Sequence, residues 1–288
     1  MADLRLVILA LTASVSVSGA ELNTPAELAR AAESGDQESM LTLGTMYLQG
    51  IKAARDQRKG YEWLLKAADS GNARAMNMVG VCLANGFGVE LDFAMAMTWY
   101  KKSASAGYAP AMFNLGKMHL QGIGTEQDSK VGAEWIRKAA DADDVDAQGV
   151  MGICYMKGWG VLADGKQAAL WFGKAADRGA VRAQNDLGLM YAQGNGVEQN
   201  LTLGIKWLAC AANQGSVNAQ YNLAVLHESG KKPDSVSALK WYLIAAKSDE
   251  QAKEDAGRLA DIMSPANVAR ARELAGQFTA APKTINNR

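Results

Sequence analysis

Residues 73–107 read ARAMNMVGVCLANGFGVELDFAMAMTWYKKSASAG, a stretch that breaks into two helical segments. From Ala73 to Asn85, the residues Ala75, Met76, Val79, Gly80 and Leu83 recur at the spacing of one helix face. Gly86-Phe-Gly-Val89 then interrupts the pattern. Asp92 has the short acceptor side chain that caps a helix start by taking a hydrogen bond from a free N–H. A second helix is therefore expected through Trp99 to Ala106, ended by Gly107.

This unit recurs along the chain. Trp63, Trp99, Trp135, Trp171 and Trp207 stand 36 residues apart, and Trp241 follows after 34. Gly44, Gly80, Gly116, Gly152 and Gly188 keep the same step, which Ala224 continues. Alanine pairs such as Ala67-Ala68, Ala139-Ala140, Ala175-Ala176 and Ala211-Ala212 close most units. Glycine inside a helix is about 1 kcal/mol less favourable than alanine. Its return at one place implies that a neighbouring helix presses on the backbone there. The tryptophans are expected to fill the space between successive helix pairs. The fold class that follows is an all-α solenoid of about six two-helix repeats.

These residues resemble the Sel-one-like repeat (SLR) family, a relative of the tetratricopeptide repeats. The fifth unit carries the family pattern as Ala183-Gln184, Leu187-Gly188, Tyr191, Gly194-Asn-Gly-Val197, Trp207 and Ala211-Ala212. The resemblance implies a right-handed superhelix that serves many roles, chiefly as a scaffold. Some cysteine-rich bacterial members have been described as β-lactamases or penicillin binders, and those carry a cysteine pair in each repeat. This chain has 3 cysteines in all and no such pair. A hydrolase of that type is therefore the alternative reading, not the first.

The ends differ from the repeats. Leu6-Val-Ile-Leu-Ala-Leu11 followed by Ser18-Gly19-Ala20 reads as a signal peptide over 1–20, which places the mature protein in the periplasm or outside the cell. The apolar run is too short for a comfortable membrane span, so no stable membrane insertion is expected after cleavage. Residues 21–35 should form an N-terminal capping helix, opened by the capping box Thr24-Pro25-Ala26-Glu27. The repeats occupy 36–247, two capping helices 248–278, and 279–288 a flexible tail.

Basic and acidic residues balance at 30 each, which argues against a nucleic-acid partner. The Gly-x-Gly loops join helix to helix and lack the strand and the Gly-Lys-Ser/Thr of a phosphate cradle. His119 and His227 hold the repeat position of Tyr47, Tyr155 and Tyr191, and read as aromatic substitutes. Cys82 and Cys154 share one position two repeats apart, beyond disulfide reach, and read as buried small hydrophobes. Cys210 replaces the lysine of the preceding units. No catalytic residue, metal ligand or cofactor is expected.

What remains is surface. By analogy with tetratricopeptide repeats, the first helix of each unit should line a concave face. Arg74, Asn77, Phe113, Lys117 and Gln121 lie there outside the packing pattern, as do Lys157, Arg182, Asn185 and Tyr221. They suit an extended peptide or a carboxylate of a protein partner. The middle loop residues Ile51, Phe87, Ile123 and Trp159 would form a second, apolar edge, with Trp159 the most exposed. The scaffold would then be an adaptor or regulator in the export compartment, or a secreted factor contacting host or envelope components. Mass spectrometry of the protein from its native source should find a first residue of Glu21; intact Met1 in the cytosol would refute export.

Overall fold

The structure, a computed structural model, describes residues 24–230 and 233–280. The signal peptide expected over 1–20 lies outside them, as do residues 21–23, residues 231–232 and residues 281–288 of the expected tail. Among the described residues there are fifteen helices and no strand. None is long and apolar enough to cross a membrane.

The chain divides into two compact units. The first, up to Ala147 with Trp159–Val161, holds α1 (Pro25–Glu33), α2 (Gln37–Gln49), α3 (Gln57–Asp69), α4 (Ala73–Asn85), α5 (Phe93–Ser105), α6 (Ala109–Gln121) and α7 (Ser129–Asp141). The second holds most of α8 (Val145–Lys157), then α9 (Gly165–Asp177), α10 (Val181–Gln193), α11 (Leu201–Asn213), α12 (Val217–Ser229), α13 (Ser235–Ala245), α14 (Glu250–Ile262) and α15 (Pro265–Gly276). Even-numbered helices from α2 to α12 open the repeats and odd-numbered ones from α3 to α13 close them. α1 is the N-terminal cap, and its Thr24–Glu27 capping box is formed. α14 and α15 follow the last repeat.

One set of hydrogen bonds shapes every hairpin. The second helices begin at Asp56, Asp92, Asp128, Asp164, Asn200 and Asp234, whose side chains accept from the third amide of the helix at 2.8–3.2 Å. The main-chain N–H of each of these caps reaches back to the first helix, to the carbonyls of Tyr47, Leu83, His119, Tyr155, Tyr191 and His227, at 2.8–3.0 Å. A free helix start and a free helix end are thereby satisfied by one residue. The second glycine of the Gly-x-Gly loop has a separate reason. A Cβ on Gly88 would collide with the carbonyl of Gln57 at the start of the preceding second helix, and one on Gly196 with the main chain of Gly165. The first repeat has no preceding pair, and there the position is Lys52, which keeps the left-handed φ of 58° without the glycine.

The recurring first-helix glycine is pressed as expected, but in two alternating ways. In the first, third and fifth repeats it meets a second glycine. A Cβ on Gly44 would stand 2.9 Å from the Gly60 carbonyl, one on Gly116 2.9 Å from that of Gly132, and one on Gly188 3.1 Å from that of Gly204. In the second and fourth repeats the partner position is Ala96 or Ala168, and a ring lies on the glycine instead: Tyr100 at 2.6 Å from a Cβ on Gly80, Phe172 at 2.6 Å from one on Gly152. The sixth repeat has Ala224, Ala238 and the buried Tyr242. The side chain against the glycine is thus the residue after the tryptophan, not the tryptophan itself. The tryptophans follow the same alternation: Trp99, Trp171 and Trp241 are buried, while Trp63, Trp135 and Trp207 are half-buried. Four carry the ammonium of the lysine one turn on, 4.0–4.3 Å from the ring centroid, on Lys66, Lys102, Lys138 and Lys174. Cys210 ends that row.

Cys82 and Cys154 are buried and in no disulfide, and burial pushes the Cys82 thiol up to about 12. The alternation also leaves an orphan. Tyr100 Oη is buried with no hydrogen-bond partner among the described residues, whereas Tyr242 Oη donates to Glu228 at 2.9 Å. Phe172 fills the equivalent space without a hydroxyl. An unsatisfied buried hydroxyl costs about 1–3 kcal/mol. Tyr100→Phe should therefore raise stability by about 1 kcal/mol in denaturant melts, and Tyr242→Phe should lower it by about as much. A loss in both would mean that Tyr100 has an acceptor after all.

Candidate functional site

In the first unit, α4 and α6 lie side by side and bring four of the expected residues together. Asn114, one residue past the register of Asn77, donates its carboxamide N–H to Asn77 Oδ1 at 3.0 Å, and both are buried. Arg74 precedes Asn77 by one turn and is half-buried. Lys117 follows Asn114 by one turn and is only 7% exposed, with its ammonium 5.3 Å from the Phe113 ring centroid. Burial lowers the pKa of Lys117, and Asp146 opposes this. No carboxylate of the described residues lies within ion-pair distance of Lys117 or Arg74. Gln121, at the end of α6, is half-buried.

In the second unit, α10 and α12 repeat the carboxamide contact. Asn222 donates to Asn185 Oδ1 at 2.9 Å, and Asn185 donates to Asp186 Oδ1 at 3.0 Å. Burial raises the pKa of Asp186, against the pull of the Asn185 hydrogen bond, Arg182 and Lys157. Arg182 and Lys157 are exposed. Tyr221 is committed elsewhere: its hydroxyl donates to Asp255 on α14 at 3.0 Å, and its ring meets Tyr242 edge-on at 5.6 Å.

The loop edge is not continuous. Ile51 is 54% exposed, but Phe87 and Ile123 turn onto the core of the first unit and are half-buried. Trp159, expected to be the most exposed of the four, is also half-buried. A flat indole beside a tight glycine turn has more to gain from packing than from water. Among the described residues the most exposed large apolar side chains are instead Leu162 at 91% and Ile262 at 76%.

Sequence reasoning missed Asn114, Asn222, Asp186, Asp255, Glu228 and Arg258. A signal existed for the first two: Asn77 and Asn114, like Asn185 and Asn222, are 37 residues apart, one more than the repeat. That offset is what lets side chains on neighbouring first helices meet. The other four act through contacts that no repeat position announces. Among the described residues no group of His, Cys, Asp and Glu is placed to hold a metal ion. Burial lowers the pKa of both His119 and His227.

The end of the second unit is latched by charge. Arg258 on α14 holds Glu228 on α12 through both terminal nitrogens, at 2.8 and 3.0 Å. The Arg258 hydrogen bond, then that of Tyr242, keep the Glu228 carboxyl below its ordinary 4.5. A depressed carboxyl stabilises the fold above its unfolded pKa, and that contribution is lost as pH falls through the folded value. Amide protection in α14, taken relative to the intrinsic exchange rate at each pH, should accordingly fall as pH drops below about 4.5, and Glu228→Gln should flatten that response while weakening α14 at neutral pH. An unchanged acid response in the variant would show that another group controls it.

Comparison with known proteins agrees with this geometry. The Sel1 repeat family model matches at residues 37–72, 73–108, 109–144, 145–179, 181–216 and 217–250. A search of curated proteins returns no significant match. Among solved structures, a Sel1 repeat protein from Oxalobacter formigenes is similar at 27% identity over 78% of this chain and 100% of that one, with a TM-score of 0.69. The c5321 protective antigen of uropathogenic Escherichia coli strains, which displays an SLR fold, is similar at 26% identity over 88% of this chain and 63% of that one, with a TM-score of 0.55. Sel1 repeats are in general interaction scaffolds and generally not enzymes. Six consecutive matches over the helix pairs described above make this chain a member of the Sel1 repeat family.

Proposed function

We propose that this protein is an exported interaction scaffold or regulator that holds an extended segment of a partner protein on the first-helix face of its repeats. The observation that carries the reading is the asparagine pair bridging adjacent first helices, with an aromatic ring and a cation beside it. Asn114 gives one N–H to Asn77 and keeps its own carbonyl, while Asn77 keeps both of its N–H groups. None of these remaining atoms is sealed from solvent without a partner. A peptide backbone offers one donor and one acceptor per residue, the complement of a carboxamide. Phe113 adds contact area at little entropic loss. The apolar run Leu6–Leu11 followed by Ser18-Gly19-Ala20, read as a signal peptide over 1–20, supports the export compartment.

The test uses partners crosslinked to the protein in its native compartment. Lys117→Glu combined with Phe113→Ala should weaken their recapture at least about tenfold, the effect of losing one charged hydrogen bond, with the helical signal retained. Unimpaired recapture by that double variant would overturn the reading. Loss with Trp159→Ala in its place would move the site to the loop edge.

A further inference from the structure

The first-helix face is written twice in this chain. Arg74-Ala-Met-Asn77 on α4 and Phe113-Asn114-Leu115 on α6 have counterparts in Arg182-Ala-Gln-Asn185 on α10 and Tyr221-Asn222-Leu223 on α12. Each counterpart lies 108 residues on (182 − 74, or 221 − 113), which is three repeats of 36. The helix packing does not require these residues. At the positions of Arg74, Asn77 and Asn114, the first repeat has Glu38, Leu41 and Thr42, and the fourth has Asp146, Gly149 and Val150. The duplication therefore repeats a surface and not just a fold. Its central bond is also reproduced, at 3.0 Å in the first unit and 2.9 Å in the second.

The helices that carry the two copies differ in charge at three places, one of which sets Glu228 where the first unit has the buried Leu120. The position of Lys117 is taken by Val225, which is 37% exposed, and the position of Met78 is taken by Asp186. In the second unit the carboxylate of Asp186 is built in, held by Asn185 and within the field of Arg182 and Lys157. In the first unit no carboxylate of the described residues pairs with Arg74 or Lys117, and Lys117 is held against Phe113 with most of its stem buried. Asp146 acts on the Lys117 ammonium only from beyond ion-pair distance, and an ammonium so desolvated gains more from an arriving carboxylate than a solvated one does.

We infer that each unit carries its own site for an extended peptide, and that the site of the first unit takes an acidic side chain beside its asparagine pair while the site of the second does not require one. The inference rests on the proposed function. Both sites hold main chain through the carboxamide pair. Only the first sets a buried cation beside its pair, where the second has Val225 and the carboxylate of Asp186, so only there does the ligand supply a carboxylate.

The probes are two end-blocked peptides, acetyl-(Glu-Ser)3-amide and acetyl-(Gln-Ser)3-amide, titrated into the full-length protein while the side-chain amide resonances of the four asparagines are followed by NMR. Blocked ends leave side chains as the only source of carboxylate. The glutamine peptide should shift both pairs. The glutamate peptide should bind at Asn77 and Asn114 at least about tenfold more tightly than the glutamine peptide, and at Asn185 and Asn222 no more tightly. Lys117→Val should abolish that preference. Val225→Lys, a change at a partly exposed position, should create it at Asn185 and Asn222. The inference is overturned if either pair fails to respond to both peptides, or if Val225→Lys leaves the second site indifferent to charge. Should the second pair stay silent while the Lys117 and Phe113 changes still abolish recapture of the crosslinked partner, the two-site inference falls and the proposed function stands.

Discussion

In five of the six repeats the first helix is pressed at a glycine, by the backbone of the second helix in three and by an aromatic ring in two, and the rest of the structure is arranged around that approach. At Gly44 and Gly60 the carbonyl of each occupies the space where the other's Cβ would be. Nothing but glycine permits this on either side, because the nearest alternative would push the helices apart by the width of a methyl group. Where the second glycine is alanine, a ring lies on the first-helix glycine instead, as with Tyr100 on Gly80. The cap that closes each hairpin from Asp92 to the Leu83 carbonyl works at the separation the glycine allows.

The alternation has consequences at a distance. A ring pressed on the glycine goes with a buried tryptophan next to it, as in Trp99 and Tyr100; an aliphatic residue there goes with a half-buried one, as in Trp135 and Ile136. The hydroxyl of the ring is then a local problem. Phe172 avoids it and Tyr242 answers it through Glu228, which is also where Arg258 fastens α14. Helix α14 is thus attached through the same packing position that shapes the interior of the second and fourth repeats. Tyr221 belongs to this attachment, which removes it from the free surface that its repeat position suggests.

On the first-helix face the demand of the repeat is weakest, and there the chain departs from its own period. Asn77 and Asn114 bond because they are out of register by one residue. Residues in register sit at equivalent points on successive helices, a full helix spacing apart. An offset of one swings the side chain about the axis towards its neighbour. Polar side chains in such a place are retained at some loss of packing, which suits a surface that a ligand completes.

The sequence by itself determined the helix pairs, their caps and their closing turns. Each rests on a local rule that repeats at 36 residues: an apolar spacing, an Asp such as Asp92 at a helix start, a glycine such as Gly86 at a helix end. It also marked the pressed glycines, since an unfavourable residue kept at one place signals a close neighbour. Only the tertiary structure decided which side chain presses, because Trp99 and Tyr100 are adjacent and both aromatic, and their directions depend on the facing helix. It alone decided that Trp159 is half-buried, that Lys117 is largely covered, and that Tyr221 is tied to Asp255. These are contacts between residues 34 to 37 apart or across a loop, and a periodic pattern specifies where such residues start, not which partner they reach.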